Sequence, residues 1–317
     1  MKGVIEMKFL TLNELNSSVE NDLASFIEKA EQNYRNEIKN VADHILDREH
    51  HLPIILISGP SGSAKTTTAL RLSTMLENAG KTVHPVSMDN YFRPIGDPGN
   101  EVDEDDRVDL ESPKRLDMDL LNDHLEKFWK CEEVHMPTFD FATQTRHEGK
   151  TLKRNHGEFV ILEGIHALNP EITGNIGEHA TTVYVSVRTR LKNDESDLLH
   201  PSKVRLMRRI VRDKLFRGRG IAETLDFFKW VQRGEQRFIM PYKDKAMFDI
   251  DTFIAYEPAV YKPIILDELL SVRDSYPDYD QFRDLEEFLT EIDGMDTQEV
   301  PPTSLVREFV GGSHYEY

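Results

Sequence analysis

Residues 54–70 read Ile-Ile-Leu-Ile-Ser-Gly-Pro-Ser-Gly-Ser-Ala-Lys-Thr-Thr-Thr-Ala-Leu, and no other stretch constrains the chain as much. An apolar run ends in a glycine-rich turn, the turn ends in Lys65-Thr66, and a helical pattern follows. That order is the layout of a phosphate-binding P-loop. Backbone N–H groups converge on an anion at a helix N-terminus, a lysine adds a point charge, and a hydroxyl can hold Mg²⁺. Gly59, Ser61, Gly62, Ser63, Ala64, Lys65, Thr66 and Thr67 are the expected phosphate contacts. One position departs from G-x-x-x-x-G-K-[ST]: Ala64 stands where the second glycine belongs. If that residue must take φ > 0, its Cβ is a handicap.

Such a loop needs a sheet around it, and 317 residues are ample for one α/β domain with additions. The formal net charge of −18 repels nucleic acid and anionic membranes, so neither is expected as a partner. No apolar run approaches the roughly 18 residues of a membrane span, and the first residues lack the apolar core of a signal peptide. A single cysteine, Cys131, excludes an intramolecular disulfide. Together these point to a cytoplasmic protein.

Residues 11–50 read as helix, with one apolar stripe through Leu12, Leu15, Val19, Leu23, Phe26, Ile27 and Ala30 and a second through Ile38, Val41, Ile45 and Leu46. This extension packs either on the core or on another subunit, which leaves a homo-oligomer open. Strands are expected at 54–57, 82–88, 134–141, 159–162, 181–187 and 252–256, with a hairpin return at 151–153. A helix is expected from Ser112-Pro113, with serine as N-cap, to about Trp129. Further helices are expected at 203–217, 222–239, 259–270 and 279–292, before an irregular docked tail. Strands alternating with helices indicate a parallel sheet covered on both faces. The expected units are a helical extension over 1–50, a P-loop domain over 51–272 and a helical and irregular tail over 273–317.

Phosphoryl transfer needs positioning, charge neutralisation, a metal, and a residue that handles the nucleophile's proton. Glu163 follows the apolar strand 159–162, where parallel strands end and ligands bind. It is a candidate metal partner or, alternatively, a cap of the following turn. Asp89 ends the strand after the P-loop helix, either as a base or second metal group or as the opener of a turn. Arg205, Arg208, Arg209, Arg212, Arg217 and Arg219 form a basic stretch in an acidic chain. It reads as a lid closing on phosphates, as a solvated helix face, or as a nucleic-acid patch. His50, His51 and His166 read as surface or turn residues, and Cys131 as inert.

With these pieces placed, the chain resembles the P-loop uridine/cytidine kinase family. It is most similar to the bacterial nucleoside kinase branch whose longer members carry an N-terminal TGS-type domain. The resemblance rests on residues 58–67, Ser-Met-Asp-Asn-Tyr-Phe (87–92), Pro-Thr-Phe-Asp-Phe (137–141), Ile-Leu-Glu-Gly-Ile-His-Ala-Leu-Asn-Pro (161–170), Arg-Arg-Ile-Val-Arg-Asp-Lys-Leu-Phe-Arg-Gly (208–218), Gly-Glu-Gln-Arg-Phe-Ile-Met-Pro-Tyr-Lys (234–243) and Arg-Glu-Phe-Val-Gly-Gly-Ser (307–313). It implies an NMP-kinase-like α/β fold with a parallel sheet, a small β-hairpin substrate region and a helical lid. The implied activity is transfer of the ATP γ-phosphate to a nucleoside 5′-hydroxyl, with Mg²⁺.

By the same resemblance Asp89 is the catalytic base, Lys65 and Thr66 hold phosphate and Mg²⁺, and Glu163 is the second acidic position. Arg209, Arg212, Arg217 and Arg219 are the lid arginines, and Glu111 or Asp109 binds sugar hydroxyls. Arg146 of the hairpin joins the substrate-binding candidates. The base pocket departs from the pattern: Phe139 and Phe92 stand where the family has tyrosines, and Gln144 where it has a histidine. Phenylalanine stacks on a base without hydrogen-bonding it, whereas Gln144 offers a donor and an acceptor. Two other readings stay open. One is a kinase for another hydroxylated metabolite, such as a sugar phosphate or pantothenate-like acceptor. The other is a nucleotide-binding regulatory or scaffold protein.

Overall fold

A computed structural model describes residues 8–47, 52–102, 107–192 and 197–316. The chain opens with a short strand, β1 (Phe9–Thr11), then helices α1 (Leu12–Asn21) and α2 (Leu23–Asp47). Thr11 and Glu14 form a reciprocal capping box at the start of α1. Asp22, at φ −154°, breaks the expected continuous helix in two. Residues 48–50 of that expected helix, His50 among them, lie outside the described residues, as does His51.

The P-loop unit follows as β2 (Ile54–Ser58), α3 (Lys65–Asn78) and β3 (Val83–Ser87). Next come α4 (Met118–Trp129), a hairpin of β4 (Glu133–Asp140) and β5 (Thr145–Lys153), and β6 (Phe159–Glu163). A short α5 (Pro170–Thr173) leads to β7 (Thr181–Ser186), β8 (Arg190–Lys192) and β9 (Asp197–Leu199). The remainder is α6 (Pro201–Phe216), α7 (Ile221–Gly234), β10 (Phe248–Asp251), α8 (Glu257–Ser271), α9 (Arg283–Glu291) and α10 (Arg307–Val310).

The central sheet has the order β10-β7-β2-β6-β3, and every pairing within it is parallel. Side chains alternate across it, so β2 feeds two cores. Ile55 and Ile57 join a cluster with α2, α3, α6, α8 and the C-terminal segment. Ile54 and Leu56 join a second, with α4 and the hairpin. Apolar burial on both faces is why the strand reads as an unbroken Ile/Leu run. The N-terminal helices and residues Val300, Leu305, Val306 and Phe309 near the C-terminus belong to the same cluster as the P-loop helix. β1 pairs in parallel with β8 in a separate small sheet.

Two expectations are corrected. The strand expected at 252–256 lies at Phe248–Asp251 instead. The Asp251 carboxylate accepts from the N–H groups of Arg188, Thr189 and Phe253, which turns the chain out of the sheet. Ile254 and Tyr256 are apolar because they fill the core as a turn. The helix expected from Ser112 is also split. Ser112 caps only the 3-10 turn Pro113–Arg115, and Asp117 caps α4 through the Leu120 N–H. Between them the backbone is extended and pairs with 91–93: Arg93 N–H donates to Arg115 O, and Asp117 N–H to Tyr91 O.

Helix α6 is built into the core rather than laid on the surface. Arg208 has no exposed surface; its guanidinium meets both oxygens of Glu257, itself fully buried. Loss of one partner strands a charge in the interior, which costs about 3–5 kcal/mol. Arg208→Ala is therefore expected to lower the unfolding free energy by that amount, read from urea melts against the parent chain. An effect below about 1 kcal/mol would show that the pair contributes little.

Candidate functional site

The loop after β2 is shaped by close approach and by positive φ. A Cβ on Gly59 would lie 2.0 Å from Val185 O, so only glycine passes there. Gly62 sits at φ 76° and Ala64 at φ 62°, ψ 42°. Ala64 thus occupies a left-handed conformation just before α3, where its Cβ is unfavourable by about 1–2 kcal/mol. The position does call for glycine. Lys65 Nζ folds back toward Pro60 O at 3.3 Å.

The loop is strapped from beneath by one helix. Arg205, Arg208 and Arg209 lie at i, i+3 and i+4 on α6 and share a face. Their guanidiniums donate to Ser61 O, Gly62 O and Ser61 Oγ, at 3.2, 3.0 and 3.1 Å. Arg205 is also paired with Glu235 at 2.6 Å. The basic stretch is therefore no solvated face: three of its members are loop supports, each 5% exposed or less.

Strand register assembles the acidic side. Glu163 ends β6 opposite Ile57 on one neighbour and Ser87 on the other, two residues before Asp89. Thr66 Oγ1 donates to Glu163 Oε1 at 3.3 Å. Burial first, and the Asp89 charge second, push the Glu163 carboxyl up to about 7, against Lys65 and the Ser87 hydroxyl. Asp89 is likewise raised by burial, opposed by Lys65, Arg212 and Arg217. Two carboxyls crowded beside a lysine and a threonine hydroxyl is the chemistry that a divalent cation with phosphate relieves. Ser63 Oγ, Arg212 Nε and Glu111 Oε2 are buried polar atoms without hydrogen-bond partners. These residues fit a Mg²⁺-bound polyphosphate.

The remaining candidates divide. Glu111 turns toward the cations: burial raises its carboxyl to about 7, opposed by Arg209 and Lys65. Asp109 instead accepts from the Glu111 N–H at 3.0 Å. A Cβ on Gly234, the last residue of α7, would meet Glu111 Cβ at 2.2 Å, so this glycine admits Glu111 to the site. Phe92, Phe139 and Phe141 pack edge to face with centroids 5.2–6.3 Å apart. The Arg115 guanidinium lies over Phe92 and Phe139. The Gln144 amide is bonded within the protein, to Arg115 and to Phe141 O. Arg146 pairs with Asp117 at 2.9 Å.

Several residues at the site were not singled out by the sequence. Asp213, fully buried, holds Arg209, Arg217 and Arg219 at 3.6, 3.2 and 3.7 Å. Its spacing of four from both Arg209 and Arg217 was a readable signal. Glu308 accepts a hydrogen bond from Thr67 Oγ1, and the Phe309 ring lies beneath Arg208 and Arg212. The C-terminal Arg-Glu-Phe-Val-Gly-Gly-Ser segment thus abuts the first turn of the P-loop helix. His166 was expected at the surface or in a turn. It is in a turn, but only 2% exposed.

Residues 54–254 match the model of the phosphoribulokinase / uridine kinase family, and the chain belongs to that family. It is 29% identical over 215 residues to the uridine kinase of Borreliella burgdorferi, covering 63% of this chain and 93% of that one. It is 27% identical over 191 residues to the uridine kinase of Halobacterium salinarum, covering 60% and 76%. Among solved structures, D-glycerate 3-kinase from Cryptococcus neoformans is 14% identical, with a TM-score of 0.44 over 63% of this chain and 88% of that one.

Two outcomes follow from this geometry. Ala64→Gly removes the left-handed Cβ while adding some backbone freedom to the unfolded chain, so a net gain of about 1 kcal/mol in stability is expected. A thermal melt unchanged or lowered by the glycine would contradict it. Second, the Glu163 carboxyl binds its proton more tightly when folded, about 7 against an ordinary 4.5. Its contribution to stability is complete below 4.5 and is lost as pH rises through 7. Without nucleotide or metal, Glu163→Gln should flatten the fall of unfolding free energy across that window. Parallel pH curves for the two proteins would rule this out.

Proposed function

We propose that this member of the phosphoribulokinase / uridine kinase family transfers the γ-phosphate of ATP to the 5′-hydroxyl of a nucleoside. One observation carries the reading: Thr66, Glu163 and Asp89 meet at the lysine end of a strapped phosphate loop, with Arg212 near enough to Asp89 for its charge to act on it.

In this reading the loop amides and Lys65 hold the β- and γ-phosphates. Thr66 and Glu163 would hold Mg²⁺, with Asp89 beside them, and the ion would supply neutralisation of the phosphate charge. Asp89 accepts the proton of the acceptor hydroxyl. Burial raises its pKa, which makes it a stronger base than an exposed carboxylate. Arg209 and Arg212, fixed on α6, and Arg217 and Arg219, gathered by Asp213, face the charge that develops on the transferred group. Glu111 is the better-placed of the two acidic candidates for the sugar hydroxyls.

A second acceptor class has one observation in its favour. Gln144 already has both ends of its amide bonded to the protein. That leaves less for a pyrimidine edge than the sequence suggested, and it favours a hydroxylated metabolite recognised mainly through its sugar-like part. A panel of nucleosides, free sugars and sugar phosphates, with coupled detection of ADP, separates the classes. ATP binding without acceptor-dependent ADP from any of them would instead support a nucleotide-binding scaffold.

Asp89→Asn is expected to leave ATP affinity within about twofold and to lower kcat by roughly 10² or more. Turnover at the parental rate would remove Asp89 from the role of base.

A further inference from the structure

Thr67 is the third residue of α3, so its side chain stands on the first turn of the helix that ends the phosphate loop. Lys65 and Thr66 before it keep exposed surface, whereas Thr67 has none. Its Oγ1 donates to Oε2 of Glu308, a partner 241 residues further along the chain. Glu308 is half-buried on the short turn α10, which is anchored on both sides. Leu305, Val306 and Phe309 are buried in the core, and the Arg307 guanidinium donates to Val300 O and Gly311 O. The Phe309 ring of the same turn lies beneath Arg208 and Arg212.

The N–H groups that open a helix have no partner within it, and with the helix dipole they favour an anion. In a phosphate loop that anion is the polyphosphate of the nucleotide. Here a carboxylate of the chain's own C-terminal segment is already placed on that turn. An ionised Glu308 is favourable in the empty site for the same reason that a phosphate is, and it repels a phosphate brought to the same turn. An amide or a hydroxyl would dock the segment on Thr67 equally well; only a carboxylate brings charge with it. That charge reaches the metal end of the site: the Glu163 carboxyl, raised by burial and by Asp89, is pushed up further by Glu308. No role discussed above for phosphoryl transfer uses Glu308.

We infer that Glu308 is an autoinhibitory gate on the phosphate-donor site: in the nucleotide-free chain it holds the Thr67 hydroxyl, and a bound polyphosphate expels it and loosens α10 from α3. The inference rests on the reading of the loop as a polyphosphate site, and not on which acceptor the chain uses. Because the apolar residues of α10 stay anchored, the movement is a rotation of the Glu308 side chain toward solvent. With its tie to α3 broken, the turn keeps only those anchors, and its amides open more often.

The test uses the full chain with Mg²⁺ and two probes, ATP and inorganic tripolyphosphate, with affinities read by calorimetry. Glu308→Gln keeps an oxygen for the Thr67 hydroxyl and removes the charge. It is expected to bind both probes about fivefold or more tightly than the parent, and added salt should narrow the difference. Hydrogen exchange gives a second readout. ATP should speed the exchange of the amides of residues 306–311 in the parent and leave it unchanged in Glu308→Gln. Where the parent binds ATP, failure of either probe to gain affinity in Glu308→Gln overturns the inference while the polyphosphate reading stands. A gain for ATP alone does the same, because it places the effect at the base or the sugar. A parent that binds neither probe overturns both. Should Glu308→Gln fail to fold, exchange in the parent decides: amides at 306–311 that ATP slows or leaves unchanged rule the gate out.

Discussion

The Arg208–Glu257 ion pair, sealed from water at the base of the phosphate loop, is the contact on which the rest of the site depends. A charged pair in the interior is tolerated only when its remaining donors are also matched. Here the guanidinium reaches Gly62 O and Thr252 O besides both Glu257 oxygens. One side chain therefore joins α6, α8, the turn after β10 and the phosphate loop. A loop built of small residues with two positive-φ positions has little rigidity of its own. Its shape is held by the helix below it, through Arg205 and Arg209 on either side of Arg208.

That helix also sets where positive charge stands. The chain as a whole is acidic, at −18, yet α6 and its C-terminal end bring Arg212 and Arg217 to Asp89. Asp213 organises three of them with a single buried carboxylate, at the root of the α6–α7 connection. Arg209 and Arg219 lie against the Phe227 ring of α7, which orients their planes while leaving N–H groups for other partners. The result is a cationic wall in low dielectric opposite two raised carboxyls. Each side is uncomfortable alone, and a metal-bound polyphosphate satisfies both.

The C-terminal segment binds the same centre from a distance of more than two hundred residues in sequence. Glu308 reaches Thr67, Thr303 O accepts from Arg71, and Ser304 joins Tyr256 and Glu31 in a buried hydrogen-bonded chain. Glu31 belongs to the N-terminal helix α2 and is ion-paired with Arg71 of the P-loop helix. The two ends of the chain thus meet across the back of α3, and the apolar core is continuous through them.

By itself the sequence determined the parts whose signal is local. The β2–loop–α3 unit was legible because burial on both faces, a glycine turn and a Lys-Thr pair fall within seventeen residues. Glu163 and Asp89 were legible because strand ends in a parallel sheet point one way. Ala64 was marked as a conflict, and the backbone does hold it at φ 62°. What depends on distant partners was decided by the tertiary structure. Spacing alone could not separate Arg208, which supports the loop, from Arg212, whose charge acts on Asp89; Glu257 and Gly62 do that. Composition could not show that Gln144 bonds to its own hairpin, that Ile254 and Tyr256 fill a turn, or that His166 lies buried beside Glu111. A side chain's propensity is written in its neighbours along the chain, whereas its burial and its charge partners are set by where the rest of the chain returns.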